Sequence, residues 1–278
     1  MTRHELITSA ANPRVRDAAR LREADARRAT GLTLVDGLRE IDRAMVSDIE
    51  IPEAFLDADA PGDGPRDEIV ARLAARGTQI VALARRPFEK VAFGSRNEGL
   101  VTVARFRARG LDSFTVAADR PVFVVEGVEK PGNLGAILRT CDAAGVAGVI
   151  ACGGGTDPAN PAAIRASLGT VFRLPLAVAT TGEAIAWCGR TRRRVVAALP
   201  KGMHLWHEAR LTGPTAIVFG SEADGLSTDW QRAADAGTIM FETIRLPMQG
   251  IADSLNVSAT AAVMAYEALR QAAQETIP

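Results

Sequence analysis

The strongest constraint on how this chain can fold lies in residues 121–273, where short β-branched apolar runs alternate with stretches of helical pattern. The runs are Pro121–Glu126, Val146–Ala151, Arg194–Leu199, Thr215–Phe219 and Thr243–Leu246, and a long Ala-rich helical stretch, Leu255–Ala273, follows them. Parallel neighbours cannot be joined by a tight turn; each needs a crossover, usually a helix, that returns the chain to the start of the next strand. Strand–helix alternation therefore predicts an α/β fold with a mostly parallel sheet.

The first hundred residues read as a separate small α/β unit. Gly31–Asp36, Gln79–Ala84 and Gly99–Arg105 are predicted strands, and Leu38–Val46 and Arg66–Ala75 predicted helices. Beyond Ser9, the arginines 14, 16, 20, 22, 27 and 28 accompany Val15, Ala18, Ala19 and Leu21. That spacing predicts one amphipathic helix with a basic outer face, which suits water and RNA equally. An acidic stretch, Asp48–Glu68, contains Asp59–Pro65, whose proline and glycine content predicts a surface loop. The polar connection Arg107–Ser113 divides the chain into domains 1–107 and 114–278.

Composition narrows the classes further. A length of 278 residues, 47% of them hydrophobic and 24% charged, excludes a disordered or fibrous chain. No apolar run approaches the ~20 residues that span a bilayer. The first seventeen residues hold no apolar core of a secretory leader, and Cys141, Cys152 and Cys188 show no CxxC spacing. A reduced cytoplasmic protein without a membrane segment is expected. Net charge is zero, yet only Lys90, Lys130 and Lys201 among the 33 basic residues are lysines. Codon usage and phosphate recognition by guanidinium forks both account for that bias, and composition does not separate them.

Three loops leaving probable strand ends carry the polar chemistry. After the first strand, Gly127 and Gly132 have P-loop spacing, but Asn133-Leu134 replaces the required Lys-Ser/Thr. No GxGxxG is present, and the second strand runs into Cys152-Gly-Gly-Gly155 instead of an acidic ribose ligand, so neither nucleotide fingerprint is met. The second loop is Gly220-Ser221-Glu222 and its continuation to Leu226. The third runs from Leu246-Pro247-Met248 to Asn256, with Ser254 as the expected cap of the final helix. Together they predict a cofactor cleft at the strand ends. His204 and His207 have no evident third ligand, so no metal is expected. Trp187, Trp206 and Trp230 read as core or interface residues.

Taken in order, these segments resemble the motifs of the SpoU/TrmH-like branch of the SPOUT RNA methyltransferases. The first appears as Glu126-Gly-Val-Glu-Lys-Pro-Gly-Asn-Leu-Gly-Ala-Ile-Leu-Arg139. The second appears as Phe219-Gly-Ser-Glu-Ala-Asp-Gly-Leu226, and the third as Leu246-Pro-Met…Asp253-Ser-Leu-Asn-Val-Ser258. The N-terminal stretch, with Ser9–Arg14 and Leu34–Leu38, looks like the family's small substrate-binding α/β domain, although Asp36 stands where glutamate is more usual.

The resemblance implies a C-terminal parallel-sheet α/β domain tied in the SPOUT trefoil knot, with S-adenosylmethionine as cofactor and a homodimer formed through that domain. It implies that main-chain groups around Leu199, Gly220, Leu246, Met248 and Leu255 hold the cofactor. Asn133, Arg139, Glu222, Ser254 and Asn256 match the family's catalytic positions. Arg165 matches a basic position near the cofactor or the target phosphate, and Arg14 and Arg16 of the N-terminal helix are expected RNA contacts. The implied reaction moves a methyl group to a ribose 2′-hydroxyl, with ribosomal RNA preferred to transfer RNA as substrate. Arg139 serves in it either as general base, against the strong basicity of a guanidinium, or as a charged anchor of phosphate and 2′-oxygen. The alternatives are a transfer-RNA ribose methyltransferase, a base-nitrogen or protein methyltransferase, and a catalytically inactive RNA-binding relative.

Overall fold

The computed structural model describes residues 5–62, 64–93 and 98–275. The chain forms two compact units, Met1–Arg107 with Asp157–Arg173, and Ala108–Thr156 with Leu174–Pro278. Asp63, within the expected surface loop, lies outside the described residues.

The first unit begins with β1 (Glu5–Ile7), α1 (Pro13–Arg20), α2 (Ala24–Thr30), β2 (Leu32–Asp36) and α3 (Leu38–Val46). It continues through β3 (Glu53–Asp57), α4 (Gly64–Ala75), β4 (Gln79–Leu83), α5 (Arg85–Val91) and β5 (Leu100–Arg105). The chain then enters the second unit with β6 (Val122–Glu126), α6 (Pro131–Ala144) and β7 (Gly148–Cys152), and returns to the first as α7 (Pro161–Ala166). The second unit resumes with β8 (Leu176–Ala179), α8 (Thr181–Arg190), β9 (Arg194–Ala198), β10 (His204–Leu205) and β11 (Thr215–Phe219). It ends with α9 (Asp229–Asp235), β12 (Phe241–Arg245) and α10 (Val257–Glu275).

The first unit's sheet has the order β1-β4-β3-β5-β2, parallel in β1/β4/β3 and antiparallel where β5 joins β3 and β2. Leu34, Phe55, Val81, Val101 and Phe88 close its core against Val15, Ala18 and Leu21. The single N-terminal helix expected from the arginine spacing is two helices. Arg27 explains the break: its Nη1 donates to the carbonyls of Leu21 and Arg22 (3.0 and 2.7 Å), accepting groups that a helix end leaves unpaired. Strand β3 lies inside the acidic stretch, where Ala54, Phe55 and Asp57 are buried.

One stretch crosses the expected domain boundary. Asp157–Arg173 follows β7 in sequence yet packs in the first unit. Thr33 Oγ1 donates to the Ala159 carbonyl (2.6 Å), Arg43 Nη1 to that of Leu168 (2.6 Å), and Arg27 Nε pairs with Asp157 (2.9 Å). Phe106 and Phe172 meet edge to face at 5.1 Å.

All seven strands of the second sheet are parallel, in the order β10-β12-β9-β11-β6-β7-β8. Three of its inner strands, VFVVE, GVIAC and TAIVF, are buried at every residue, as strands covered on both faces must be. Helix α6 starts with Pro131 at a position that needs no N–H, and ends on left-handed Gly145. A reciprocal pair of hydrogen bonds between Thr180 and Glu183 caps α8. No described helix is long and apolar enough to cross a membrane.

Candidate active site

Strands β12, β9 and β11 are parallel neighbours, so their C-terminal ends open on one side of the sheet. The loops leaving them line a cavity of about 540 Å³. That is the crevice in which open parallel sheets bind ligands. Each loop is held by its own local chemistry. After β9, the Leu199 N–H donates to the Ile244 carbonyl at 2.8 Å. After β11, Ser221 and Gly225 exchange backbone hydrogen bonds of 2.8 and 3.1 Å, and the Asp224 N–H donates to Ser221 Oγ at 2.9 Å. Gly220 makes that closure possible, because a Cβ there would stand 2.2 Å from the Gly225 carbonyl carbon.

After β12 the loop runs to α10, whose cap differs from expectation. The helix starts at Val257, and Asn256 accepts hydrogen bonds from the Ser258 N–H (2.9 Å) and hydroxyl (2.6 Å) through Oδ1. Asn256 is thus the cap rather than Ser254, two residues too early to reach the first free N–H groups.

Leu199, Gly220, Leu246, Met248 and Leu255 all line the cavity, and so do Glu222, Ser254 and Asn256. Asn133, from the first turn of α6, joins them at the rim by donating to Glu222 Oε1. Asn256 Nδ2 donates to the same oxygen (3.1 Å) and to Asn133 Oδ1 (3.3 Å). Lys130 stands 3.1 Å from Glu222 Oε2. Three separate motifs thus meet on one carboxylate, with Lys130, outside the site residues expected from sequence, beside them. Its position just ahead of the Pro131 helix start was the available signal.

Arg139 is not on the cavity wall. It is exposed on α6, with no hydrogen bond or ion pair among the described residues. Six residues beyond Asn133 place it about 9 Å further along the helix and on another face. The three thiols are buried; burial pushes Cys152 and Cys188 up to about 12 and raises Cys141 too, so none offers a thiolate near neutral pH.

The remaining arginines separate sharply. Arg165 lies in the first unit, on α7, where it pairs with buried Asp36 (3.2 Å), donates to the Phe93 carbonyl (2.9 Å) and covers the Phe93 ring. Its guanidinium is therefore engaged by a carboxylate, whereas the cavity is built from the second unit alone. Burial pushes Asp36 up to about 6, although Arg165 and the Phe93 N–H pull the other way. Arg14 is held between Glu5 (2.9 Å) and Glu53 (2.7 Å). Arg16 is exposed, with no ion pair among the described residues.

Comparison with known proteins gives a consistent picture. Residues 120–266 match the SpoU rRNA Methylase family, and residues 12–102 match the MRM3-like substrate binding domain. A 23S rRNA (uridine(2479)-2′-O)-methyltransferase of Streptomyces viridochromogenes is 31% identical, over 72% of this chain and 71% of that protein. A crystal structure of an RNA 2′-O ribose methyltransferase superposes with a TM-score of 0.83 at 36% identity, covering 96% of this chain and 99% of the other. The AdoMet-bound rRNA methyltransferase from Sinorhizobium meliloti superposes with a TM-score of 0.84 at 27% identity, over 96% and 98% of the two chains.

Proposed function

The chain belongs to the SpoU rRNA methylase family, and from that premise we propose that it methylates a ribose 2′-hydroxyl of large-subunit ribosomal RNA with S-adenosylmethionine as donor. It is an RNA methyltransferase; the observation that carries the site assignment is the hydrogen-bonded set Asn133, Glu222 and Asn256 at the cavity rim. The cavity fits the cofactor: about 540 Å³ falls within the ~300–1,000 Å³ of small-molecule sites. Its wall combines Phe219, Leu246 and Met248 with the acidic Glu222, Asp224 and Asp253, chemistry suited to a flat apolar ring system carrying a cation.

Bound there, the cofactor supplies an electrophilic methyl group on a sulfonium. Main-chain groups around Leu199, Gly220, Leu246, Met248 and Leu255 hold it, and the apolar wall excludes competing water. Glu222, fixed by Asn133, Asn256 and Lys130, gives the rim a set geometry. Ser254, whose hydroxyl makes no hydrogen bond among the described residues, orients the ribose. Arg139 reaches solvent as a charged fork and anchors the target phosphate and 2′-oxygen. Arg16, exposed and without an ion pair among the described residues, contacts RNA phosphates in the substrate-binding unit, while Arg14 and Arg165 hold that unit's own structure.

A homodimer forms through the second unit, where α6 packs on α10 and α10 leaves Tyr266 and Leu269 exposed. The trefoil knot belongs to this reading, as does action in the cytoplasm, where the substrate is.

The test is to incubate the protein with methyl-labelled S-adenosylmethionine and separated ribosomal and transfer RNA, then digest to nucleosides. Label in a 2′-O-methyl nucleoside of ribosomal RNA is expected. Label only in transfer RNA overturns the substrate, label on a base overturns the reaction, and absence of cofactor binding overturns both.

A further inference from the structure

The carboxylate of Glu126 lies at the C-terminal end of β6, 6% exposed, and no cation pairs with it among the described residues. A charge so placed is costly unless hydrogen bonds replace water. Three do so: Thr181 Oγ1 at the start of α8 (2.6 Å), the backbone N–H of Ser227 in the loop before α9 (2.9 Å) and Trp230 Nε1 on α9 (3.3 Å). Glycine at 153 makes the room, since a Cβ there would stand 2.7 Å from Glu126 Cγ.

Ser227 directly follows the loop that closes the cavity and carries Glu222. That loop leaves β11 at Phe219, which is paired with Val125, the residue before Glu126. One strand end therefore fixes both ends of the loop, its start through strand register and its exit through the Glu126 carboxylate. Between these points, Gly220–Gly225 line the cavity.

We infer that Glu126 is a positioning residue that sets the Gly220–Leu226 loop, and Glu222 on it, against the cofactor cavity. The inference rests on reading that cavity as the methyl-donor site. It concerns shape and hydrogen bonding, not charge. A glutamine can keep all three contacts, its Oε1 accepting from Ser227 and Trp230 while its Nε2 donates to the Thr181 hydroxyl. Alanine cannot, and aspartate is one methylene too short.

Calorimetric titration of wild type, E126Q and E126A with S-adenosylhomocysteine, the product of the donor, tests this, alongside KM values for donor and RNA. E126Q is expected within about twofold of wild type in affinity and turnover. E126A is expected to bind at least about tenfold more weakly, the loss of one to two hydrogen bonds, with the KM for RNA unchanged. E126D carries the same expectation as E126A and replaces it should E126A fail to fold. Unaltered binding in E126A, or in E126D where it stands in, overturns the inference. So does a folded E126Q as weak as E126A, which would mean that charge is what matters. Failure of wild type itself to bind overturns the reading of the cavity, and the role of Glu126 with it.

Discussion

Arg139 of the second unit and three arginines of the first stand in opposite settings, although Arg210, Arg232 and Arg270 of the second unit are also ion-paired. In the first, Arg14, Arg27 and Arg165 are drawn into ion pairs with Glu5, Glu53, Asp157 and Asp36. In the second, Arg139 stands exposed on α6, with no such partner among the described residues. The difference follows from burial. A buried guanidinium must be neutralised or bonded to carbonyls, as Arg27 is by Asp157 in the first unit and Arg193 by the carbonyls of Arg120 and Ala117 in the second, whereas Arg139 lies on the exposed face of α6. Pairing state, rather than residue type, therefore separates an arginine that builds the fold from one available to a substrate.

The sharpest way to break that contrast is Arg139→Ala. Methyl transfer is expected to fall about 10²–10³-fold, the usual cost of removing one group that stabilises developing charge, while cofactor affinity stays within about twofold. Arg139→Lys should recover little, because a point charge does not reproduce a planar fork. Initial rates of label transfer beside a cofactor titration check both statements.

Arg165→Gln should act in the reverse sense. It leaves buried Asp36 without its cation, so the first unit is expected to lose about 2 kcal/mol in urea unfolding. Loss of transfer without loss of stability would return Arg165 to the substrate. The pair has a pH signature as well. Burial raises the folded carboxyl of Asp36 to about 6, above its ordinary 3.8, so the folded unit takes up a proton before the unfolded chain does. This group's contribution therefore grows as pH falls from about 6 to about 4, and Asp36→Asn removes it. Glu40 shifts in the same direction, with Glu98, Arg39 and Arg165 around them, so the difference between wild type and variant is the quantity to measure.

Smaller effects refine the comparison. Asn256→Ala removes both a cap and a rim contact; about 1 kcal/mol of stability should go with the cap, measured by thermal unfolding. Arg16→Ala should weaken RNA binding a few-fold and lower the salt slope by about one, whereas Arg14→Ala should affect stability more than affinity. Filter binding across a salt series distinguishes these. Equal effects of the two variants on RNA would mean that pairing does not decide which of these arginines meets RNA.

Much of the molecule was legible from local pattern. Helix α3 has the limits expected of it, β11 is the expected run Thr215–Phe219, and the parallel second sheet agrees with the strand–helix alternation. Elements that escaped had weak local signals. Strand β3 is framed by Glu53 and Asp57, α5 has seven residues and a proline, and β8 is a four-residue edge strand. The single basic helix became two because Arg27 turns inward, and no periodicity reports where a long side chain will find its carbonyls.

The candidate site divides along the same line. The three motifs name Asn133, Glu222 and Asn256 because each is a short contiguous pattern, and contiguous patterns survive without three-dimensional information. That these residues meet on one carboxylate, with Lys130 beside them, depends on strand order, which inserts β11 between β9 and β6. The fate of Asp157–Arg173 likewise depends on long-range contacts, chief among them Arg165 with Asp36. Backbone periodicity and turn chemistry act over a few residues and can be read along the chain. The pairing of buried charges is set by groups far apart in sequence, so it appears only when the fold brings them together.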